Sequence, residues 1–260
     1  MTAAAAVLQQ LQRDLARGTS DLPALPRSVV EALRLARTPN VDFDEVARVA
    51  SLDPPLAARV VSVANSALYA RSGMPKIASV HRAAIRLGAQ ATRDVLYQVA
   101  YASMFVDARR YRDLIEATFE HGVCVGRSSR CLARERGLDQ DAAFLGGLLH
   151  DIGRARCWKI AAQARRPVDI ALVAAAVDSL HAVAGAELAA AWHLPEEVVE
   201  SCRFHHDAGD REYARVVAAA DALAHLDDGT GDAERALSRL VEAGLPPARA
   251  KELLPAEARA

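Results

Sequence analysis

Gly147-Leu148-Leu149-His150-Asp151-Ile152-Gly153 is the stretch on which the reading of this chain turns. It sets an imidazole beside a carboxylate in an apolar run, with Gly146 and Gly147 thinning the helix before it and Gly153 predicted to end that helix. Further chemistry of the same kind lies on both sides. His121 stands upstream, and His181, the pair in Arg203-Phe204-His205-His206-Asp207, and Asp221 stand downstream. Imidazole nitrogen and carboxylate oxygen are ligands for the same divalent ions, so their clustering in otherwise apolar sequence predicts that they converge on a metal site of one or two ions or are the relic of one. Taken singly, each residue has a blander account. His121 suits a hydrogen-bonded core histidine, His181 a ring bonded to nearby backbone, and Asp221 a buried paired carboxylate. On a regular helix only one ring of His205-His206 reaches a given ion, leaving the other to solvent or a phosphate. His81, His193 and His225 carry no such signal, His225 simply sharing a helix face with Asp221.

The rest of the composition bounds the fold and the partners. Hydrophobic residues make up 52% of the 260, but aromatics only 5%, and alanine dominates, which suits closely packed helices. A net charge of −1 supplies no field to draw in nucleic acid or an anionic membrane, and neither is an expected partner. Cys124, Cys131, Cys157 and Cys202 form no C-x-x-C pair and read as reduced core thiols. The apolar run Ile170 to Trp192 is interrupted by Asp178, His181 and Glu187, which argues against a membrane span. Together these features predict a soluble, cytoplasmic chain.

Helical periodicity recurs over 2–17, 27–37, 42–51, 54–70, 79–87, 89–105, 112–136, 141–152, 168–178, 181–192, 195–206 and 211–227, with no alternating strand pattern. Asp53 and Pro54 form an N-cap and first-turn proline, ahead of Leu56, Val60, Val63, Ala64 and Ala67 on one face. Leu114, Thr118, His121, Val125 and Leu132 make a second stripe. The prediction is an all-α protein with an N-terminal helix (1–20), an N-terminal helical lobe (21–110), a second lobe (111–228) and a charged helical tail (229–260).

The order His121, His150-Asp151, Asp221 resembles the H…HD…D pattern of the HD superfamily of metal-dependent phosphohydrolases. His181 and His205-His206 resemble the extended set of its HD-GYP branch, which hydrolyses cyclic dinucleotides. Leu22-Pro23-Ala24-Leu25-Pro26, Ser51 to Leu56, Val63 to Tyr69, Ala78 to Gly88, Phe144 to Gly153 and His181 to His206 are similar to a sister family, the HDOD domain. That resemblance covers roughly residues 20–225. It implies an all-helical bacterial signalling module, regarded as non-catalytic and acting through a signalling-protein partner, with a surface near Asn65 to Tyr69. It also leaves room for a bound iron, manganese, zinc or nickel on His121, His150, Asp151, His181, His205, His206 and Asp221. Two departures set the chain apart from HD-GYP enzymes. Arg154 stands where they carry lysine, and arginine is a poor proton donor. The sequence after His206 lacks their DGxGYP segment. The alternative is a metal-dependent phosphohydrolase using Asp151 and Arg154, the latter as phosphate clamp. A third reading is a sensor that binds a nucleotide or phosphoester without cleaving it.

Overall fold

In a computed structural model of the chain, the described residues are 3–18, 31–32, 34–35, 38, 40–50, 52, 54–70, 74–103, 105, 109–163 and 169–256. The Leu22–Pro26 motif, Ser51, the expected cap Asp53 and Gly73 lie outside them. Every regular element among the described residues is helical, so the protein is all-α. The chain divides into two compact units, Pro23–Asp107, and Met1–Leu22 with Ala108–Ala260.

In the unit Pro23–Asp107, α2 (Phe43–Ala50), α3 (Pro54–Ala64) and α4 (Val80–Ser103) pack through short apolar stripes. Val46 and Val49 are buried on α2, and Leu56, Val60 and Ala64 on α3 at i, i+4, i+8. The sequence extends α3 to 70, but the helix stops at Ala64. There the Asn65 side chain donates to the Ile77 carbonyl (2.7 Å) and accepts from the Ile77 amide (2.9 Å), so the chain turns and exposes Ala67 and Leu68. Helix α4 is broken at Gly88, whose φ of +75° and ψ of 172° suit only glycine. The buried Thr92 hydroxyl donates to the Ala84 carbonyl (3.2 Å) across that break.

The other unit holds α1 (Ala3–Gly18), a 3₁₀ turn (Arg109–Tyr111), α5 (Arg112–Arg136), α6 (Gln140–Leu149), α7 (Ile152–Ala162), α8 (Ile170–Ala191), α9 (Glu196–Phe204), α10 (Glu212–Asp227), α11 (Ala233–Glu242) and α12 (Pro247–Leu253). Asp139, Asp169 and Asp232 cap α6, α8 and α11, each accepting backbone N–H bonds of the first turn. On α5 the buried stripe is Ile115, Phe119, Gly122, Val125, Ser129 and Leu132, turned from the expected one so that Leu114 is exposed. Helix α1 packs on α7 and α8. Arg156, itself buried, donates to the Ala184 carbonyl of α8 (2.9 Å) and the Leu15 carbonyl of α1 (3.4 Å). The charged tail belongs to the core as well: Ala236, Leu240, Leu245, Ala250 and Leu254 join Val125, Leu132, Val216 and Val217 in one apolar cluster.

Three expectations are corrected here. The sequence predicts separate helices over 168–178 and 181–192, but α8 runs unbroken through the alanine-rich stretch, so His181 lies in mid-helix. Gly153 does not end a helix. Helix α6 ends at Leu149, and Gly153 sits in the first turn of α7, where a Cβ would lie 1.9 Å from the His181 carbonyl oxygen and 2.5 Å from Gly185 N. Only Cys157 and Cys202 are core thiols, since Cys124 and Cys131 fall on the exposed side of α5. Among the described residues, α8 is the one helix long and apolar enough to cross a membrane; its packing on α1, α7 and α9 and its buried His181 make it a core helix.

Candidate metal centre

All seven predicted ligands come from one unit and converge. Helix α5 supplies His121, the break between α6 and α7 supplies His150 and Asp151, α8 supplies His181, the end of α9 supplies His205 and His206, and α10 supplies Asp221. The break decides the geometry. It lets adjacent residues leave the helical path, so His150 is fully buried while Asp151 faces both α7 and α8. Small residues bring the backbones close enough. A Cβ at Gly122 would lie 2.5 Å from the Leu148 carbonyl oxygen, and one at Gly153 would strike α8 as above.

Three histidines are oriented by the backbone. His150 Nδ1 bonds the Gly147 carbonyl (2.7 Å), His181 Nδ1 the Asp178 carbonyl (2.9 Å) and His205 Nδ1 the Cys202 carbonyl (3.0 Å). Each carbonyl accepts from an Nδ1 proton, so in the neutral tautomer of His181 and His205 the lone pair lies on Nε2, whereas His150, held charged by its carboxylates, carries a proton on Nε2 as well until a metal displaces it. Those Nε2 atoms face one another and Asp151. His181 Nε2 lies 3.4 Å from His205 Nε2, 2.9 Å from His206 Nε2 and 3.3 Å from Asp151 Oδ1, and His205 Nε2 is 3.5 Å from that oxygen. Asp151 Oδ1 is buried with no hydrogen-bond partner aligned on it, its neighbours being the Nε2 atoms of His181 and His205. A cation among these atoms removes the misfit. Adjacent ligands on bonds of about 2.1 Å are roughly 3.0–3.4 Å apart in octahedral or tetrahedral geometry, close to the separations seen here.

A second grouping surrounds Asp221. His121 Nε2 is 2.9 Å from Asp221 Oδ1, His150 Nε2 3.6 Å and His225 Nε2 3.5 Å. Ligand atoms lie within 4.8 Å of one another in three sets that could hold a metal ion: His181, His205 and His206; His121, His150 and Asp151; and His121, Asp221 and His225. Sequence reasoning misses His225. Its one signal is the spacing of four from Asp221, which puts both side chains on one face of α10.

Burial and charge shape the protonation of the cluster. Burial works against a charged His150, but the Asp151 carboxylate and then Asp221 outweigh it and push its pKa up to about 9. Burial, reinforced by His205, presses His206 down to about 4, so its ring is neutral near pH 7. Burial would raise Asp221, yet bonds from His121 and His150 hold it well below the ordinary carboxylate range. The expectation that only one ring of His205-His206 reaches the site is corrected: α9 has ended at Phe204, and both rings point at His181. Arg154 is not a free cation. Its Nε donates to Asp151 Oδ2 (2.7 Å) and its other arm pairs with Asp178.

A helical unit that gathers imidazoles and carboxylates from five helix segments around an HD dipeptide defines an HD-type domain. The HDOD domain model matches residues 22–208, and the chain belongs to that family. HDOD domains are signal-transduction modules, regarded as non-catalytic relatives of HD phosphohydrolases. An HDOD domain protein of unknown function from Geobacter sulfurreducens shares the fold, with 25% identity and a TM-score of 0.60 over 86% of this chain and 79% of that one. An uncharacterized protein of Treponema pallidum (strain Nichols) is 27% identical over 213 residues, 76% of this chain and 40% of that protein. Ribonuclease Y of Thermus thermophilus is 36% identical over 112 residues, 42% of this chain and 17% of the enzyme. The chain thus spans less than half the length of either curated relative.

Proposed function

We propose that the chain is a regulatory HDOD module whose helices are pinned by one or two divalent transition-metal ions, iron, manganese, zinc or nickel, and which acts on a signalling-protein partner. His121, His150, Asp151, His181, His205, His206 and Asp221 would hold the ions. The observation that carries this is the buried, unbonded Asp151 Oδ1 facing the Nε2 atoms of His181 and His205. An ion there ties α7, α8 and α9 through one carboxylate, so gain or loss of metal changes how those helices are held. The double pairing of Arg154 favours regulation over turnover: a phosphate clamp needs charge to spare, and two carboxylates already neutralise this one. A partner would meet the surface that begins at Asn65, where Leu68, Met74 and Ile85 are exposed beside Arg82.

The second reading is a metal-dependent phosphohydrolase. The completeness of the ligand set and the stretch shared with ribonuclease Y favour it. A metal would there supply a bound water of lowered pKa; Asp151 would hold the ion, and Arg154 would have to leave Asp178 to meet a phosphoryl oxygen. Metal-reconstituted protein should leave bis(4-nitrophenyl) phosphate, cyclic dinucleotides and a short RNA intact. Turnover that disappears in Asp151→Ala would overturn the regulatory reading in favour of the hydrolase.

A further inference from the structure

We infer that His225 is a metal ligand, completing with His121 and Asp221 an outer ion site at the rim of the cluster. The inference rests on the metal-centre reading above and extends it to a residue outside the HD pattern.

Three features of the geometry carry it. First, the tautomer of His225 is fixed from outside. Thr230 Oγ1 donates its single proton to Asp228 Oδ1 (2.5 Å), so it accepts from His225 Nδ1 (2.9 Å). The loop holding Thr230 is itself folded back on the helix, with the amides of Thr230 and Gly231 donating to the His225 carbonyl (2.9 and 2.7 Å). A proton on Nδ1 leaves the Nε2 lone pair of the neutral ring aimed at Asp221 Oδ1, 3.5 Å away. That places a ligand nitrogen against the carboxylate oxygen that His121 also meets, and an imidazole oriented by an outer hydrogen bond is how ligating histidines are held.

Second, His121 cannot serve two ions with its Nε2. It belongs both to the inner set with His150 and Asp151 and to the outer set with Asp221 and His225, so one of these is the site. The outer set has the tighter edges, 2.9 and 3.5 Å from Asp221 Oδ1, against 3.8 Å between His150 Nε2 and Asp151 Oδ2. Choosing the outer set also frees Asp151 Oδ1 for His181, His205 and His206. The cluster then resolves into two ions, the outer on His121, Asp221 and His225 and the inner on His150, Asp151, His181, His205 and His206.

Third, the outer position is reachable. The His225 side chain is 47% exposed, against 1% for His150, so an ion enters and exchanges at the His225 side without opening the helices.

The test is a cobalt(II) titration of the metal-free full chain, followed by visible absorption and by elemental analysis after gel filtration. Wild type should bind two ions. His225→Ala should bind one and keep the absorption of the inner site, whereas His206→Ala should lose the inner ion and keep the outer. Thr230→Val, which removes only the orienting hydroxyl, should weaken the outer ion alone by about tenfold. Far-ultraviolet circular dichroism matching wild type shows that the variants fold. Unchanged stoichiometry and affinity in His225→Ala would overturn the inference while leaving the metal centre standing. No cobalt bound by wild type would overturn both.

Discussion

Gly153→Ala probes the crossing on which the cluster depends. A Cβ at this position would lie 1.9 Å from the His181 carbonyl oxygen, 2.5 Å from Gly185 N and 2.8 Å from the His181 carbonyl carbon. All three are backbone atoms of α8, so no side chain can swing aside. An ordinary carbon–oxygen approach is about 3.3 Å, and α7 and α8 must therefore separate by roughly 1.4 Å. Forcing such a methyl into a packed interface costs about 3 kcal/mol or more. Alanine recovers about 1 kcal/mol as the better helix former. The net loss of about 2 kcal/mol corresponds to a fall in Tm of roughly 4–8 °C for a unit of this size. Thermal melts of the metal-free protein followed at 222 nm give that number, and cobalt binding reports the site, because the displaced carbonyl belongs to a proposed ligand. Gly88→Ala is the control. It meets nothing within 4 Å and is strained only through its positive φ, so it should cost about 1–3 kcal/mol in the other unit and leave cobalt stoichiometry unchanged. A Gly153→Ala protein that melts within 1 °C of wild type and binds cobalt normally would refute the reasoning.

Further predictions follow from single contacts. Two of the four cysteines, Cys124 and Cys131, should react with a thiol reagent in the native protein and all four after denaturation, since burial pushes the Cys157 thiol up to about 12 and Cys202 higher still; four native thiols would contradict the burial. Arg156→Met should cost about 1–3 kcal/mol, because it removes the buried side-chain donor shared by the Ala184 and Leu15 carbonyls. It should also speed tryptic cleavage at Arg13, and an unchanged cleavage rate would mean that Arg156 does not hold α1. Asn65→Ala removes both side-chain bonds to Ile77 and should destabilise the Pro23–Asp107 unit by about 1–2 kcal/mol. Hydrogen exchange at the Ile77 amide measures it, and full protection there would count against the contact.

Much of this is legible in the sequence because it depends on residue type and spacing. The all-helical class follows from alanine-rich periodicity without alternation, and the break at Gly88 from glycine between two helical runs. The candidate ligands are visible because imidazoles and carboxylates are expensive in apolar sequence and rarely cluster there. What escapes depends on where helices end and cross. His205 and His206 both reach the site only because α9 stops one residue earlier. Gly153 resembles a helix terminator until α8 is seen pressed against it. His225 looks like a surface residue until the Asp228–Gly231 loop is seen to fix its ring. The α5 stripe is turned from its expected position because exposed Leu114 imitates a core residue.

The central claim is that Asp151 and the surrounding histidines hold metal. Elemental analysis of protein purified without an affinity tag or added metal, run beside Asp151→Ala, tests it most directly. The account predicts one or two equivalents of iron, manganese, zinc or nickel in wild type, and a loss of at least one in the variant at unchanged helicity. A wild-type protein free of metal even after reconstitution, or a variant that retains the full complement, would contradict it.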